Sequence, residues 1–229
     1  MARRKPTSGK CYFCGQEIAS SGMSRHLAAC QKRQEAIQAA EQKTAKSLKE
    51  QTLFHLAVRD AWCSDYWLHL EVNGSARLQA LDDYLRAIWL ECCGHLSQFS
   101  IGGWRGEEIP MSRRIDQVFE PGVELEHIYD FGTSSHTMVK FVAMRQGKPL
   151  TRHPIFLMAR NNPPEVTCME CGERASWLCL ECVEEDKSGF LCDQHAKEHP
   201  HDEYSSLLPV VNSPRLGMCG YDGPAEPPY

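Results

Sequence analysis

Four closely spaced pairs of potential metal ligands lie between Cys168 and His201, and they constrain this chain more than any other feature. Two such pairs complete one tetrahedral zinc site, so four pairs predict two zinc ions. The segment is short and holds few apolar residues, so burial alone would not offset its ordering entropy. Each structural zinc would supply folding free energy on the order of 10 kcal/mol. The pairs are Cys168 and Cys171, Cys179 and Cys182, Cys192 and His195, and His199 and His201.

The spacing favours a cross-brace, in which the first and third pairs hold one zinc and the second and fourth pairs hold the other. A sequential arrangement fits the same spacing, as does a single zinc with spare histidines. Disulfides are the remaining alternative, and the absence of any export signal argues against them. The pattern is similar to that of a B-box or a related treble-cleft-like finger, and such modules mostly bind proteins.

A second group of ligands lies near the N-terminus, where Cys11 and Cys14 form a knuckle. His26 and Cys30 follow four residues apart, a spacing that places them on one face of a helix. Together the four residues predict a C2HC variant of the ββα zinc finger. The whole chain is therefore expected to bind about three Zn²⁺ ions.

Specific DNA recognition by this finger is not expected. The base-reading positions of such a helix fall on Ala19, Gly22 and Arg25, and only arginine can hydrogen-bond a base. Non-specific binding of nucleic acid through the basic N-terminus is an alternative function. The residues that would carry it are Arg3, Arg4, Lys5, Lys10, Arg25, Lys32 and Arg33.

Charge is distributed unevenly along a chain whose net charge is −5. Residues 1–52 carry ten Lys and Arg against four Asp and Glu, whereas residues 168–229 carry four against twelve. A polyanion would therefore be attracted only to the N-terminal part, and the acidic C-terminal part suits a protein partner better. With no signal peptide and no apolar run that could span a bilayer, we expect a cytoplasmic protein that does not enter membranes.

Between the two zinc-binding regions, hydrophobic periodicity predicts an α+β domain with a mostly antiparallel sheet and packed helices. Alternating patterns predict strands, and apolar residues with a 3.6 period predict a helix from Ser75 to about Gly94. The expected organisation is a basic tail and C2HC finger (1–32), a helical linker (33–52), the central domain (53–162), a two-zinc cross-brace-like module (163–204) and an irregular tail (205–229). Strands are expected at 53–60, 66–72, 95–103, 123–132, 136–147 and 154–161, a short helix at 111–119, and a mostly solvated helix over 31–51.

Two stretches carry a resemblance to a known family. They are YWLHLEVNGSARLQALDDYLRAIWLECCGHLSQFSI and IYDFGTSSHTMVKFV, which include His95 and the motif Tyr129-Asp130-Phe131-Gly132. They resemble the plasmid pRiA-type "ORF three" family, some members of which are labelled TnpR-like transposon passengers. In its zinc-containing branch the resemblance extends to about residue 221. It implies this fold and zinc binding, but no established reaction. An association with mobile elements or defence is a further hypothesis.

A catalytic site in the central domain is a third hypothesis, based on His95, His127, Asp130 and His136, with Glu126 nearby in sequence. The competing interpretation is that Asp130 and Gly132 build a turn and that His127 lies on the solvent face of its strand. We expect Cys92 and Cys93 to lie at a buried helix end and Cys63 in the core, with Cys219 as a possible extra ligand. We therefore favour a non-enzymatic zinc-binding adaptor and assign no catalytic residues.

Overall fold

The computed structural model describes residues 7–43, 48–201 and 207–229. Within these ranges a nine-stranded antiparallel sheet forms the body of the protein, in the order β2-β1-β9-β4-β3-β8-β7-β5-β6. The predicted α+β class is therefore confirmed. The strands are β1 (Ser8–Cys11), β2 (Glu17–Ala19), β3 (Gln51–Asp60), β4 (Trp67–Asn73), β5 (Ser97–Ile101), β6 (Glu107–Ile109), β7 (Glu124–Tyr129), β8 (Ser135–Gly147) and β9 (Ile155–Asn161).

Helices cover both faces of this sheet. The N-terminal helices are α1 (Ser20–Ala29) and α2 (Gln31–Glu41), and the central helix α3 (Leu78–Leu85) continues as a π-helical turn over Arg86–Leu90. The expected short helix over 111–119 is a single 3-10 turn at Ile115–Gln117. The apolar positions that predicted α3 are all fully buried against the sheet, namely Leu78, Leu81, Leu85, Ile88 and Trp89.

The start of α3 differs from the predicted start at Ser75. The Ser75 hydroxyl instead donates to the side chain of Gln51 at 2.7 Å, so it is not used as a cap. The helix begins three residues later, at Leu78.

The finger is built into the sheet. Strand β1 of the finger pairs with β9 of the central domain, and the Tyr12 amide donates to the Met158 carbonyl at 2.9 Å. From α1, Met23 and Leu27 pack against Trp67 and Met158. Strands β4 and β9 are consequently buried on both faces, whereas the alternating pattern of β4 predicted a half-buried strand.

Helix α2 is shorter than the predicted helix over 31–51 and is fastened to the sheet. An extended residue, Cys30, separates it from α1, and it ends at Glu41. The Glu41 carboxylate accepts the Lys148 amide at 2.8 Å, and the Glu41 carbonyl accepts from the Lys148 ammonium at 2.7 Å. These contacts give α2 a docking site where the sequence predicted a solvated spacer.

The C-terminal part forms a second, small sheet in the order β11-β10-β12. Its strands are β10 (Trp177–Leu178), β11 (Phe190–Leu191) and β12 (Leu208–Pro209), accompanied by α4 (Leu180–Glu184) and α5 (Asp193–Lys197). The following segment was predicted to be an irregular tail. It returns to the central domain, where Tyr221 and Ala225 are buried and the Tyr229 ring stacks on His153 at 4.1 Å.

Within the described ranges, none of the helices combines the length and the apolar character needed to cross a bilayer.

A buried histidine pair predicts acid sensitivity of the central sheet. His55 Nε2 and His69 Nδ1 lie 2.8 Å apart, and both residues are about 5% exposed. Burial, with the neighbouring His69 and Arg33, lowers the pKa of His55 from 6.5 to about 3, and burial lowers that of His69 to about 4. The folded state therefore binds fewer protons than the unfolded state, so stability is lost as pH falls below 6.5 toward these values.

We expect the free energy of unfolding to fall by about 1 kcal/mol for each of these two histidines when the pH is lowered from 7 to 5.5. Urea unfolding at both pH values measures the loss. In a double variant, His55→Leu with His69→Leu, this decrease in unfolding free energy should be about 2 kcal/mol smaller. All other titrating groups are the same in the two proteins, so their contributions cancel. An equal loss in both proteins would refute the assignment.

Candidate metal centres

Four clusters of cysteine and histidine could each hold a metal ion, and eleven of the twelve cysteines belong to them. Within each cluster the candidate ligand atoms all lie within 4.8 Å of one another. No disulfide joins any cysteine in the described residues, which include all twelve. Three clusters contain all the ligands predicted from the sequence: Cys11, Cys14, His26 and Cys30; Cys168, Cys171, Cys192 and His195; and Cys179, Cys182, His199 and His201.

Distances within these clusters fit a tetrahedral ion. Metal–sulfur bonds of about 2.3 Å and metal–nitrogen bonds of about 2.0 Å require about 3.8 Å between two sulfurs and about 3.6 Å between sulfur and nitrogen. Cys171 Sγ and Cys192 Sγ lie 3.8 Å apart. Cys14 Sγ lies 3.4 Å from His26 Nε2. The side chains are therefore already arranged around a position that suits one ion.

The N-terminal cluster is formed by a strand-to-turn knuckle and a helix. Gly15 follows Cys14 with φ of +74°, a conformation that glycine adopts readily, and its amide donates to the Cys11 carbonyl at 2.8 Å. Helix α1 supplies His26, and Cys30 follows at its C-terminal end. The fourth ligand thus comes from the same short segment, as the spacing predicted.

In the C-terminal module the four pairs group as a cross-brace requires. The first pair lies with Cys192 and His195 at the start of α5, and the second pair lies with the two histidines that follow α5. The buried apolar cluster here consists of Cys168, Cys179, Cys182 and Leu191. Three of these four residues are candidate ligands, and the other apolar side chains packed against them, Met169, Trp177, Ala196 and Leu207, are only partly buried.

Two of the candidate ligands, Cys11 and Cys182, are buried thiols whose protonation depends on whether an ion is bound. Burial, as the largest cause, raises the pKa of Cys11 and of Cys182 to about 11. Without an ion these thiols would stay protonated at neutral pH. A bound divalent cation would reverse that preference and hold them as thiolates.

The fourth cluster was not predicted as a unit. It consists of Cys92, Cys93, His95 and Cys219. The expectation that Cys92 and Cys93 lie at a buried helix end was wrong, because Cys92 is only partly buried and Cys93 is exposed. The helix ends at Leu90, before both residues. The sequence Cys93-Gly94-His95 was the local signal that could have drawn attention to them.

The proposed catalytic residues are not brought together. His127 is fully buried, and its Nε2 lies 2.7 Å from the Asp82 carboxylate, so the expected solvent-facing position was wrong. His136 Nδ1 lies 2.6 Å from Glu126 on the neighbouring strand. Of the four residues, only His95 and Asp130 approach each other, with Nε2 and Oδ2 at 3.5 Å.

The Asp130 side chain stabilises the turn that follows β7. Its carboxylate accepts the Gly132 amide at 2.9 Å, in agreement with the turn interpretation. The positive φ of +67° at this turn belongs to Asp130 itself and not to Gly132. The other carboxylate oxygen lies 2.7 Å from the guanidinium of the fully buried Arg215, which also donates to the Thr133 carbonyl and the Ser135 hydroxyl.

The predicted basic surface is smaller than the sequence suggested. Lys10, Arg25 and Lys32 are exposed, but Arg33 turns inward, donates to the Leu27 carbonyl and approaches Glu71. The remaining residues of that set, Arg3, Arg4 and Lys5, lie outside the described residues. Non-specific nucleic-acid binding by the N-terminus stays a prediction.

Comparisons with known proteins add little about function. No protein-family model matches the chain, and a search of curated proteins found no match. Among solved structures, a protein of unknown function from Methanosarcina mazei Go1, MM3350, is similar with 15% sequence identity and a TM-score of 0.43. The similarity covers 67% of this chain and 85% of that protein. The resemblance to the "ORF three" family and the link to mobile elements stay predictions.

Proposed function

We propose that this chain is a zinc-binding adaptor whose acidic C-terminal module binds a protein partner. The single observation that carries the proposal is the grouping of eight ligands into two four-ligand sets, in a module whose buried apolar cluster consists mostly of ligand side chains. Sulfur and nitrogen ligands in a tetrahedral arrangement favour zinc among the common divalent ions. A site with four protein ligands leaves no position for water or substrate, which is typical of structural rather than catalytic zinc.

The surface chemistry supports a protein partner with a basic face. Residues 168–229 carry twelve acidic residues against four basic ones. Glu170, Glu173 and Glu184 are exposed, so their charges remain available to a partner. His127 pairs with Asp82, and His136 pairs with Glu126 and not with Asp130, which weakens the case for a single reaction site in the central domain.

Charge neutralisation of the module tests this function. Partners are captured by crosslinking to the full-length protein, and the best candidate is purified and titrated by calorimetry. Glu170→Gln, Glu173→Gln and Glu184→Gln together should weaken its binding about tenfold at low ionic strength, and added salt should reduce the difference.

The matched control changes three exposed acids of the central domain, Glu107→Gln, Glu108→Gln and Glu120→Gln. This control should bind as the unmodified protein does. Equal weakening in both triple variants would point to general charge effects, and unchanged binding in the module variant would contradict the proposal.

A further inference from the structure

The fourth cluster joins two parts of the chain that are remote in sequence. Cys93 Sγ and Cys219 Sγ lie 3.9 Å apart, and Cys219 Sγ lies 3.6 Å from His95 Nε2. A disulfide would require about 2.05 Å between the sulfurs. The observed separations are instead close to the edges of a tetrahedral metal site, about 3.8 Å and about 3.6 Å.

A shared backbone feature links this cluster to the others. Four cysteines of the chain are followed by glycine, and every one belongs to a cluster. The four glycines have φ values between +68° and +75°. At three of them a Cβ would meet nothing within 4 Å, so the glycine serves the left-handed backbone conformation and not a steric need. The four glycines are Gly15, Gly94, Gly172 and Gly220. At Gly15, a Cβ would have one neighbour, the Lys10 side chain at 3.9 Å.

Cys219 has an unusual backbone conformation of its own. Its φ is +53° and its ψ is +31°, a left-handed conformation that costs a residue with a side chain about 1 kcal/mol or more. The side chain is exposed, so burial of the thiol does not compensate this cost. A bond from Cys219 Sγ to a metal ion would.

Arg215 and Tyr129 lie beside the cluster and can stabilise the negative charge that its thiolates would carry. Three thiolates around a divalent ion leave a net charge of −1, and the Arg215 guanidinium lies 3.4 Å from Cys92 Sγ. The Tyr129 hydroxyl accepts the backbone amides of Cys92 and His95, each at 3.3 Å. It donates in turn to Glu91 at 3.0 Å. Such contacts orient ligands around a metal and tune its charge.

We propose that Cys92, Cys93, His95 and Cys219 bind a fourth zinc ion, which fastens the C-terminal segment to the central domain. Three sulfurs and one imidazole nitrogen suit zinc and fill its four positions, so the site is structural. The segment that carries Cys219 begins with β12 of the small sheet. The ion therefore also fixes the C-terminal module relative to the large sheet.

Metal counting by native mass spectrometry tests the proposal, with protein purified in a thiol-free reductant and without added metal. The unmodified chain should carry one zinc more than a double variant, Cys93→Ser with Cys219→Ser. Both cysteines are exposed, so this change removes two ligands without opening the core. Cys63→Ser, at the one cysteine outside the four clusters, is the control and should keep the full number.

Hydrogen exchange supplies the second measurement. The amides of Met218 and Tyr221, which close the turn around Cys219, should exchange faster in the double variant than in the control. An equal zinc count in the unmodified chain and the double variant would overturn the proposal. A metal other than zinc at this cluster would overturn the assignment of the ion. The test measures the difference in zinc count between the unmodified chain and the double variant, so its result does not depend on the adaptor function.

Discussion

Replacing Cys179 with serine is expected to remove one zinc ion and to open the C-terminal module while the large sheet stays folded. Cys179 is almost fully buried, and its Sγ lies 3.6 Å from His201 Nδ1. Structural zinc contributes on the order of 10 kcal/mol to folding, and the apolar contacts of the module are too few to replace that contribution. The free energy of local opening should therefore fall close to zero.

Hydrogen exchange followed by mass spectrometry measures this effect. The amides of Cys168, Met169 and Cys179 donate within the module, to Glu173, Phe190 and Gly189 respectively, and should lose protection. Amides of β3 and β8, in the middle of the large sheet, should keep theirs. Cys63→Ser provides the matched control. Unchanged protection of the module in the Cys179 variant would show that metal does not hold it together.

Replacing Arg215 with methionine is expected to destabilise the central domain by about 3 to 5 kcal/mol. The Arg215 guanidinium is fully buried, and its loss would leave the Asp130 carboxylate without its ionic partner. The Thr133 carbonyl and the Ser135 hydroxyl would lose a donor as well, each at 2.9 Å. Urea unfolding of the two proteins at pH 7 measures the difference.

A second variant separates lost charge pairing from lost packing. Asp130→Asn combined with Arg215→Met removes both charges, so it should recover part of the stability that the single arginine change loses. If the single variant lost less than about 1 kcal/mol, the pair would not be the buried support that its geometry indicates.

The sequence revealed three ligand clusters because their ligands come in pairs that are local along the chain. A Cys-x2-Cys pair or a His four residues before a Cys can be recognised without knowing the fold. The fourth cluster needs Cys219 beside His95, and the two residues are 124 positions apart in a sequence that carries no sign of their contact. Only tertiary structure brings them together.

The same limit applies to polar residues of the core. His127 looked like a free strand histidine because its partner, Asp82, lies 45 residues earlier on α3. The attachment of the finger to β9 was also missed, although a local signal existed. Residues 155–159, Ile-Phe-Leu-Met-Ala, form a continuous apolar run, which is typical of a strand covered on both faces and not of a half-buried one.

The most direct test of the central claim is the metal content of the Cys93→Ser, Cys219→Ser double variant, measured by elemental analysis against protein sulfur. This variant lacks two ligands of the fourth cluster, so its zinc content comes only from the finger and the C-terminal module. The account predicts close to three zinc ions per chain. A content of two or fewer would contradict the two-zinc module and the adaptor function built on it.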